Sequence, residues 1–353
     1  MSGEAIRIVF LSDTHLGFDY PLREPLREPL GAPIGNRAAR RRRGQDFFDN
    51  YQRVLDYAVD SKADLVIHGG DFFFRSKVPA HIVDLAYDRL VRFADHGIPI
   101  YIVPGNHERS VLPPSLFLSH PHIHVFDRPR TFSLQVNGIR LGLSGFPNER
   151  DHIRKQFRHL VEDTRWRECS ADVRLLCIHQ TVEGSRVGPS GFTFRLGADV
   201  IPRRDLPNEF DGVLSGHIHR HQVLSGAHPP VIYPGSVERT SFAEKNEIKG
   251  FLELHINRRR RETKIDYTFN LLPSRPMVDI VLGEEIGRST LHAYLTSRVG
   301  SLDDETIVRL TCTRVPSQAV LRLLAREHLR RIFPPTMNVQ LHRRLFAGSG
   351  TGN

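Results

Sequence analysis

Ile6–Leu11 reads IRIVFL and runs without a break into Ser12-Asp13-Thr14-His15. An almost wholly apolar hexamer describes a strand buried on both faces, and the polar residues arrive where that strand must end. The arrangement recurs along the chain. Leu65–His68 leads into Gly69-Gly70-Asp71, and Pro99–Val103 into Gly105-Asn106-His107-Glu108. Val173–Ile178 leads into His179, and Gly212–Leu214 into Gly216-His217-Ile218-His219. Every polar block thus falls at the carboxyl end of a strand, the edge of an open α/β sheet that binds ligands.

Between these strands the period changes to that of amphipathic helices. Phe47, Tyr51, Val54, Leu55 and Ala58 share a face over Asp46–Asp60, as do Ile82, Ala86, Leu90 and Phe93 further on. The βαβαβ run predicts right-handed crossovers around a sheet core. Later strands at Thr131–Val136, Arg140–Ser144, Val231–Tyr233 and Phe251–Ile256 are more closely spaced, with a helix near Asp151–Asp163. The expected fold is therefore α/β: two mixed sheets packed as a sandwich and flanked by helices.

Two stretches depart from that texture. Tyr20–Gly44 holds a duplicated PLRE, several prolines and the run Arg40–Arg43, and reads as a basic surface insert. Arg258–Arg261 lies between two strand-like segments and reads as a hairpin turn. Beyond Leu271–Pro276, a strand (Met277–Leu282), a helix (Ser289–Val299), a strand (Thr306–Thr311) and a helix (Ser317–Ile332, with Ser317 as N-cap) predict a small α/β domain. The expected division is a catalytic domain over 1–271, a second domain over 272–347 and a disordered tail over 348–353.

The bulk numbers exclude several classes. A chain of 353 residues with 39% hydrophobic and 25% charged content is globular, neither disordered nor membrane-spanning. The N-terminus lacks the pattern of an export signal, and Cys169, Cys177 and Cys312 form no CxxC pair, so a reducing cytoplasm is expected. The formal net charge of +9 is carried largely by arginine and suits a polyanionic partner, nucleic acid first. A merely solvated basic surface is the plainer explanation.

Imidazole and carboxylate groups with one amide oxygen suit divalent manganese, iron or zinc rather than calcium. Asp71, flanked by glycines that permit close backbone approach, is the candidate for a bridge between two such ions. The ions would activate water and neutralise phosphoryl charge. His107, next to Asn106, is placed to protonate a leaving alkoxide.

The order DxH, GGD, GNHE, H, GHxH resembles that of the calcineurin-like metallophosphoesterases. The resemblance implies Asp13, His15, Asp71 and His219 on one metal, Asp71, Asn106, His179 and His217 on the other, and His107 as general acid. A narrower resemblance, over nearly the whole chain, is to the SbcD-type DNA-repair exonucleases, bacterial relatives of the double-strand-break repair nuclease. It rests on SDTHLG (Ser12–Gly17), GQDFFDNYQRVLDYA (Gly44–Ala58), HGGDFFFRSKVP (His68–Pro79), YPGSVERTSFAEKNEIKGF (Tyr233–Phe251) and RPMVDI (Arg275–Ile280). It implies two manganese ions, DNA as substrate, a homodimer with a DNA-capping second domain, an SbcC-type ATPase partner, and a cytoplasmic, nucleoid-associated location. Two features depart from the family pattern. Phe74 stands where relatives commonly place His or Asp, which puts cleavage rate and polarity in question. The helical extension that relatives use to bind their ATPase is short or missing, unless Ser317–Ile332 serves.

Other residues have competing explanations. His68, inside an apolar strand, reads as a core histidine. Arg220 and His221 either touch substrate phosphate or are exposed neighbours of the HxH block. Arg40, Arg41, Arg42 and Arg43 either grip DNA backbone or form a solvated loop. Arg322, Arg326, Arg330 and Arg331 form a basic stripe facing DNA, an acidic partner or plain solvent, and Phe72–Phe74 read as packing. Two other functions compete with a DNA nuclease: a phosphodiesterase or phosphatase for small phosphoesters, and a catalytically weakened DNA-binding scaffold for an ATPase.

Overall fold

Ala5–Leu11 lies inside a six-stranded sheet whose order is Glu262–Leu272, Lys249–Arg259, Ala5–Leu11, Leu65–His68, Ile100–Ile102, Ile123–Val125. The four strands from Ala5–Leu11 outward to Ile123–Val125 run parallel, and the long hairpin Lys249–Leu272 adds antiparallel pairing at the other edge. The computed structural model describes residues 5–20, 22–25, 39–109, 111–113, 120–226, 229–259 and 262–346.

A second six-stranded sheet has the order Gln222–Leu224, Val231–Tyr233, Gly212–Ser215, Val173–Ile178, Ile139–Gly145, Arg130–Val136. Its inner four strands are parallel and its two edges antiparallel. Ile8, Phe10 and Ile67 from the first sheet share one core with Leu141, Leu143, Leu175 and Leu214 from the second. This is the sandwich interior. Outside it, Ile153, Phe157 and Val161 of the helix Ile153–Asp163 cover the far face of the second sheet. Truncating a side chain in the shared core leaves a void that facing sheets cannot close. Leu254→Ala is expected to destabilise the protein by about 2–5 kcal/mol, read as a lowered denaturant midpoint.

Residues 1–18 with 46–273 form one compact unit, and residues 19–45 with 274–353 form another. The basic insert, expected within the first domain, therefore groups with the C-terminal segment. Its described parts are ordered rather than a bare loop: Arg23–Pro25 pairs antiparallel with Ala39–Arg41. Asn338 Nδ2 donates to Arg41 O at 3.1 Å, tying the insert to a C-terminal strand. The following helix runs Arg43–Asp60, so it begins inside the expected insert. The Arg258–Arg261 turn is shorter than expected, because Arg258 and Arg259 still pair with Thr263 and Glu262; residues 260 and 261 lie outside the described residues, as does the tail 348–353.

The second unit is a parallel three-stranded sheet, Met277–Leu282, Ile307–Cys312 and Asn338–Leu341, packed with helices. Ser317 caps as expected, its Oγ accepting from Val320 N at 3.4 Å. The single helix expected over Ser317–Ile332 is broken into Gln318–Leu323 and Arg326–Ile332. Val320 and Leu324 share one helical face, as do Leu329 and Phe333, but a straight helix would turn the two pairs to different sides. The extended backbone at Ala325 (φ −59°, ψ 144°) lets both pairs reach the core. No described helix is long and apolar enough to cross a membrane.

Candidate metal centre

The site is assembled within the first unit from strand ends, as the sequence predicts. Asp13 N donates to Gly70 O, His15 N to Asp71 O and Leu16 N to Phe72 O, each at 2.9 Å, so the DTH and GGD loops are laced together. Four of the polar residues hold left-handed backbone: Asp13 (φ 53°), His15 (44°), Asp71 (52°) and His217 (80°). Such conformations cost about 1–3 kcal/mol each and persist only where the surroundings over-determine them. Two glycines make the approach possible. A Cβ on Gly105 would fall on Asp71 N and Oδ1, and one on Gly70 (φ +110°) would fall on the His179 ring.

Asp71 is central. Its Oδ1 accepts from His107 N at 2.9 Å, and its Oδ2 faces His179 Nε2 at 3.4 Å, His107 Nε2 at 3.8 Å and His15 Nε2 at 4.0 Å. On one side, Asp13 Oδ1 lies 3.9 Å from His15 Nε2 and 3.6 Å from His219 Nε2, and the two imidazole nitrogens are 3.0 Å apart. On the other, Asn106 Oδ1 lies 3.1 Å from His179 Nε2 and 2.9 Å from His217 Nδ1. All seven residues expected as ligands are brought together, in two clusters that meet at Asp71.

The donor set fits divalent cations. Asp13 Oδ1 and His15 Nδ1 are buried with no hydrogen-bond partner, although Asp13 Oδ2 is satisfied by Ser12 Oγ at 2.6 Å and His217 N at 3.1 Å. The unsatisfied carboxylate oxygen points at two ring nitrogens, an arrangement a cation completes. Burial, then the neighbouring His219, holds His15 well below its ordinary value; burial, then His179, brings His217 down to about 3. Both rings are therefore neutral and offer lone pairs. Burial opposes the charge on both Asp71 and His179, but their mutual attraction wins. It pushes His179 up to about 9 and holds Asp71 below the carboxylate range. A divalent cation held by these residues would supply positive charge at the same place.

A supporting layer fixes the ligands' orientation. His179 Nδ1 donates to Gly69 O at 2.7 Å, which turns Nε2 inward. His68 is the buried core histidine expected, and it also braces the loop. Its Nδ1 accepts from Gly70 N at 3.2 Å, its Nε2 donates to Thr14 Oγ1 at 2.9 Å, and Thr14 Oγ1 donates to Phe72 O at 3.0 Å. Burial brings His68 down to about 3, so it stays in the neutral form this chain of bonds requires.

Glu244 and Lys249 escaped the sequence reading, although both lie in the motif Tyr233–Phe251. Glu244 Oε1 accepts from His219 Nδ1 at 3.3 Å and from Thr240 Oγ1 at 2.6 Å. Lys249, fully buried at its side chain, bonds Glu244 Oε2 at 2.7 Å, Glu247 Oε2 at 3.2 Å and His219 O at 3.0 Å. Despite its burial, Glu244 is held below its ordinary range by His219 and Lys249. A carboxylate behind a metal-facing histidine fixes its tautomer and raises its basicity. Glu244→Gln is expected to weaken metal affinity by roughly 10–100-fold, measured by chelator competition. Only the spacing from Glu244 to His219 across the fold reveals the pair.

His107 is oriented by backbone. Its Nδ1 donates to Phe74 O at 2.6 Å, which leaves Nε2 facing Asp71, and the Phe74 ring lies 5.6 Å from the His107 ring. The residues suggested for DNA contact have other engagements. Arg220 bonds Glu247 Oε1 at 2.9 and 3.0 Å and Gly188 O at 2.7 Å. His221 Nδ1 donates to Tyr233 O at 2.8 Å, and its ring stacks on Phe269. Arg41, Arg42 and Arg43 belong to the second unit, and the Arg40 side chain lies outside the described residues.

Comparison with known proteins follows the same lines. Over 241 residues the chain is 27% identical to the DNA double-strand break repair protein Mre11 of Methanosarcina mazei, covering 68% of this chain and 34% of that protein. It is 22% identical over 263 residues to Mre11 of Methanococcus maripaludis, covering 69% and 60%. It is 25% identical over 239 residues to the uncharacterized metallophosphoesterase YhaO of Bacillus subtilis, covering 66% and 55%. The chain thus spans from about a third to three-fifths of the length of these relatives. The family model described as calcineurin-like phosphoesterase matches residues 6–221, the span that holds every strand-end block from Asp13 to His219, and the chain belongs to that family.

Proposed function

We propose that this protein is a manganese-dependent phosphodiesterase that cuts DNA in end processing and double-strand-break repair. The observation that carries the hydrolytic part is the pair of clusters meeting at Asp71 with His107 beside them. The DNA part is supported by relatives named for double-strand break repair and by the net charge of +9. A homodimer, an SbcC-type ATPase partner and a cytoplasmic, nucleoid-associated setting go with this reading.

Asp13, His15, Asp71 and His219 would hold one divalent ion; Asp71, Asn106, His179 and His217 would hold the second. Bound there, two such ions polarise the phosphoryl oxygens and activate water. The chain's own residues supply the rest. In hydrolysis a water oxygen bonds to phosphorus, the bond to the leaving oxygen breaks, and that oxygen gains a proton from His107 Nε2. Phe74 O, bonded to Nδ1, keeps Nε2 turned toward the centre, and the ring is 35% exposed, within reach of substrate. The Phe74 ring has no ionisable proton to donate, so one acid serves where the family pattern would add a polar neighbour.

The test is release of label from end-labelled linear duplex DNA with manganese, alongside an aryl phosphodiester. Expected are cleavage of DNA, none in EDTA, and a rate that falls steeply with salt as phosphate contacts are screened. Hydrolysis of the aryl ester with DNA untouched would replace the nuclease reading with one of small phosphoesters.

A further inference from the structure

The strand Ile139–Gly145 is followed by a short loop, residues 146–151, pinned near both ends. Phe146 is buried in the core over the far face of the second sheet, and so is Ile153 at the start of the next helix. Between these anchors the loop makes four hydrogen bonds toward the metal centre. Asn148 N donates to Pro104 O at 2.8 Å, and Asn148 Nδ2 donates to His179 O at 2.6 Å. Glu149 O accepts from Gln180 Nε2 at 3.0 Å, and Arg150 Nη2 donates to Asn106 O at 2.6 Å.

All four bonds fall on residues 104–106 or 179–180, the stretches that carry Asn106 and His179. Those two residues belong to one cluster, with Asn106 Oδ1 and His179 Nε2 3.1 Å apart. None of the four reaches Asp13, His15 or His219. The loop therefore braces one half of the centre.

Arg150 is exposed, unlike the buried Asn148, yet its Nη2 is turned inward onto a ligand loop. The C=O and N–H of a trans peptide point opposite ways. In the peptide joining Asn106 to His107 the N–H donates to Asp71 Oδ1 at 2.9 Å, so the carbonyl faces away from Asp71, and there Arg150 meets it. A hydrogen bond from a charged donor is roughly twice as strong as a neutral one. It also polarises the peptide, which makes the N–H a better donor to Asp71. One guanidinium thus acts through one peptide on Asn106, His107 and Asp71 together.

We propose that Arg150 is a positioning residue for the cluster of Asn106, His179 and His217. Bonded to Asn106 O, it holds Asn106 against His179 and sets the affinity of that half of the centre for its ion. The inference deepens the two-ion reading given above and rests on it.

Stepwise titration of metal-free protein with manganese, read by electron paramagnetic resonance, tests this on wild type and Arg150→Met. The variant should bind one ion roughly 10–100-fold less tightly, the range for loss of a partner behind a ligand, and the other as wild type does. Arg150→Lys, which can still donate to the carbonyl, should recover part of the loss. In an Asn106→Ala background, Arg150→Met should weaken metal binding no further. Excess manganese should restore most of the kcat of Arg150→Met on an aryl phosphodiester, with KM unchanged. Equal weakening of both ions, weakening of neither, or a further loss in the Asn106→Ala background would overturn the inference and leave the two-ion centre standing. A raised KM with both ion affinities intact would do the same and make Arg150 a substrate contact. Wild type that binds fewer than two ions would overturn the inference together with the reading it rests on.

Discussion

His107→Ala is expected to lower kcat by roughly 10²–10⁴-fold, the range for loss of a positioned general acid, with metal content unchanged. His107 faces the clusters through Nε2, 3.8 Å from Asp71 Oδ2, but it is not needed to complete either ligand set. Its backbone N–H, which donates to Asp71 Oδ1 at 2.9 Å, survives the substitution, so Asp71 keeps its orientation. The loss should shrink for substrates with a good leaving group, such as an aryl phosphodiester, because such an oxygen departs without a proton. An equal loss on DNA and aryl ester would remove His107 from the role of acid.

Asp71→Asn is expected to act earlier, on the centre itself. The amide keeps the shape and can still accept from His107 N, but it removes the one carboxylate that faces His15, His107 and His179 together. Metal content should fall to at most one ion per chain. Activity should fall by roughly 10³–10⁴-fold, the several kcal/mol that metal ions contribute to phosphoryl transfer. Elemental analysis of the purified variant, beside its rate, checks both halves.

The site was legible in the sequence because its chemistry coincides with strand ends. Ile6–Leu11, Leu65–His68 and Val173–Ile178 are apolar enough to be read as buried strands, and the polar blocks that follow them could only lie at the sheet edge. What the sequence hid depends on distance or on backbone. Glu244 and Lys249 reach His219 only through the fold. The carbonyl of Phe74 orients His107, and a carbonyl has no letter of its own. The insert read as a loop because its prolines and repeated arginines masked the short pairing of Arg23–Pro25 with Ala39–Arg41. The break at Ala325 carries no glycine or proline, and only the two leucine-anchored faces around it account for it.

Asp13, His15, Asp71, Asn106, His179, His217 and His219 would together hold two divalent ions, with Asp71 common to both sets. Titrating metal-free protein with manganese, and following the bound metal by electron paramagnetic resonance, tests it most directly. Saturation at two ions per chain is expected, with a spectrum of two coupled manganese ions that is absent in Asp71→Asn. Saturation at one ion, or two ions whose spectra stay those of isolated manganese, would contradict it.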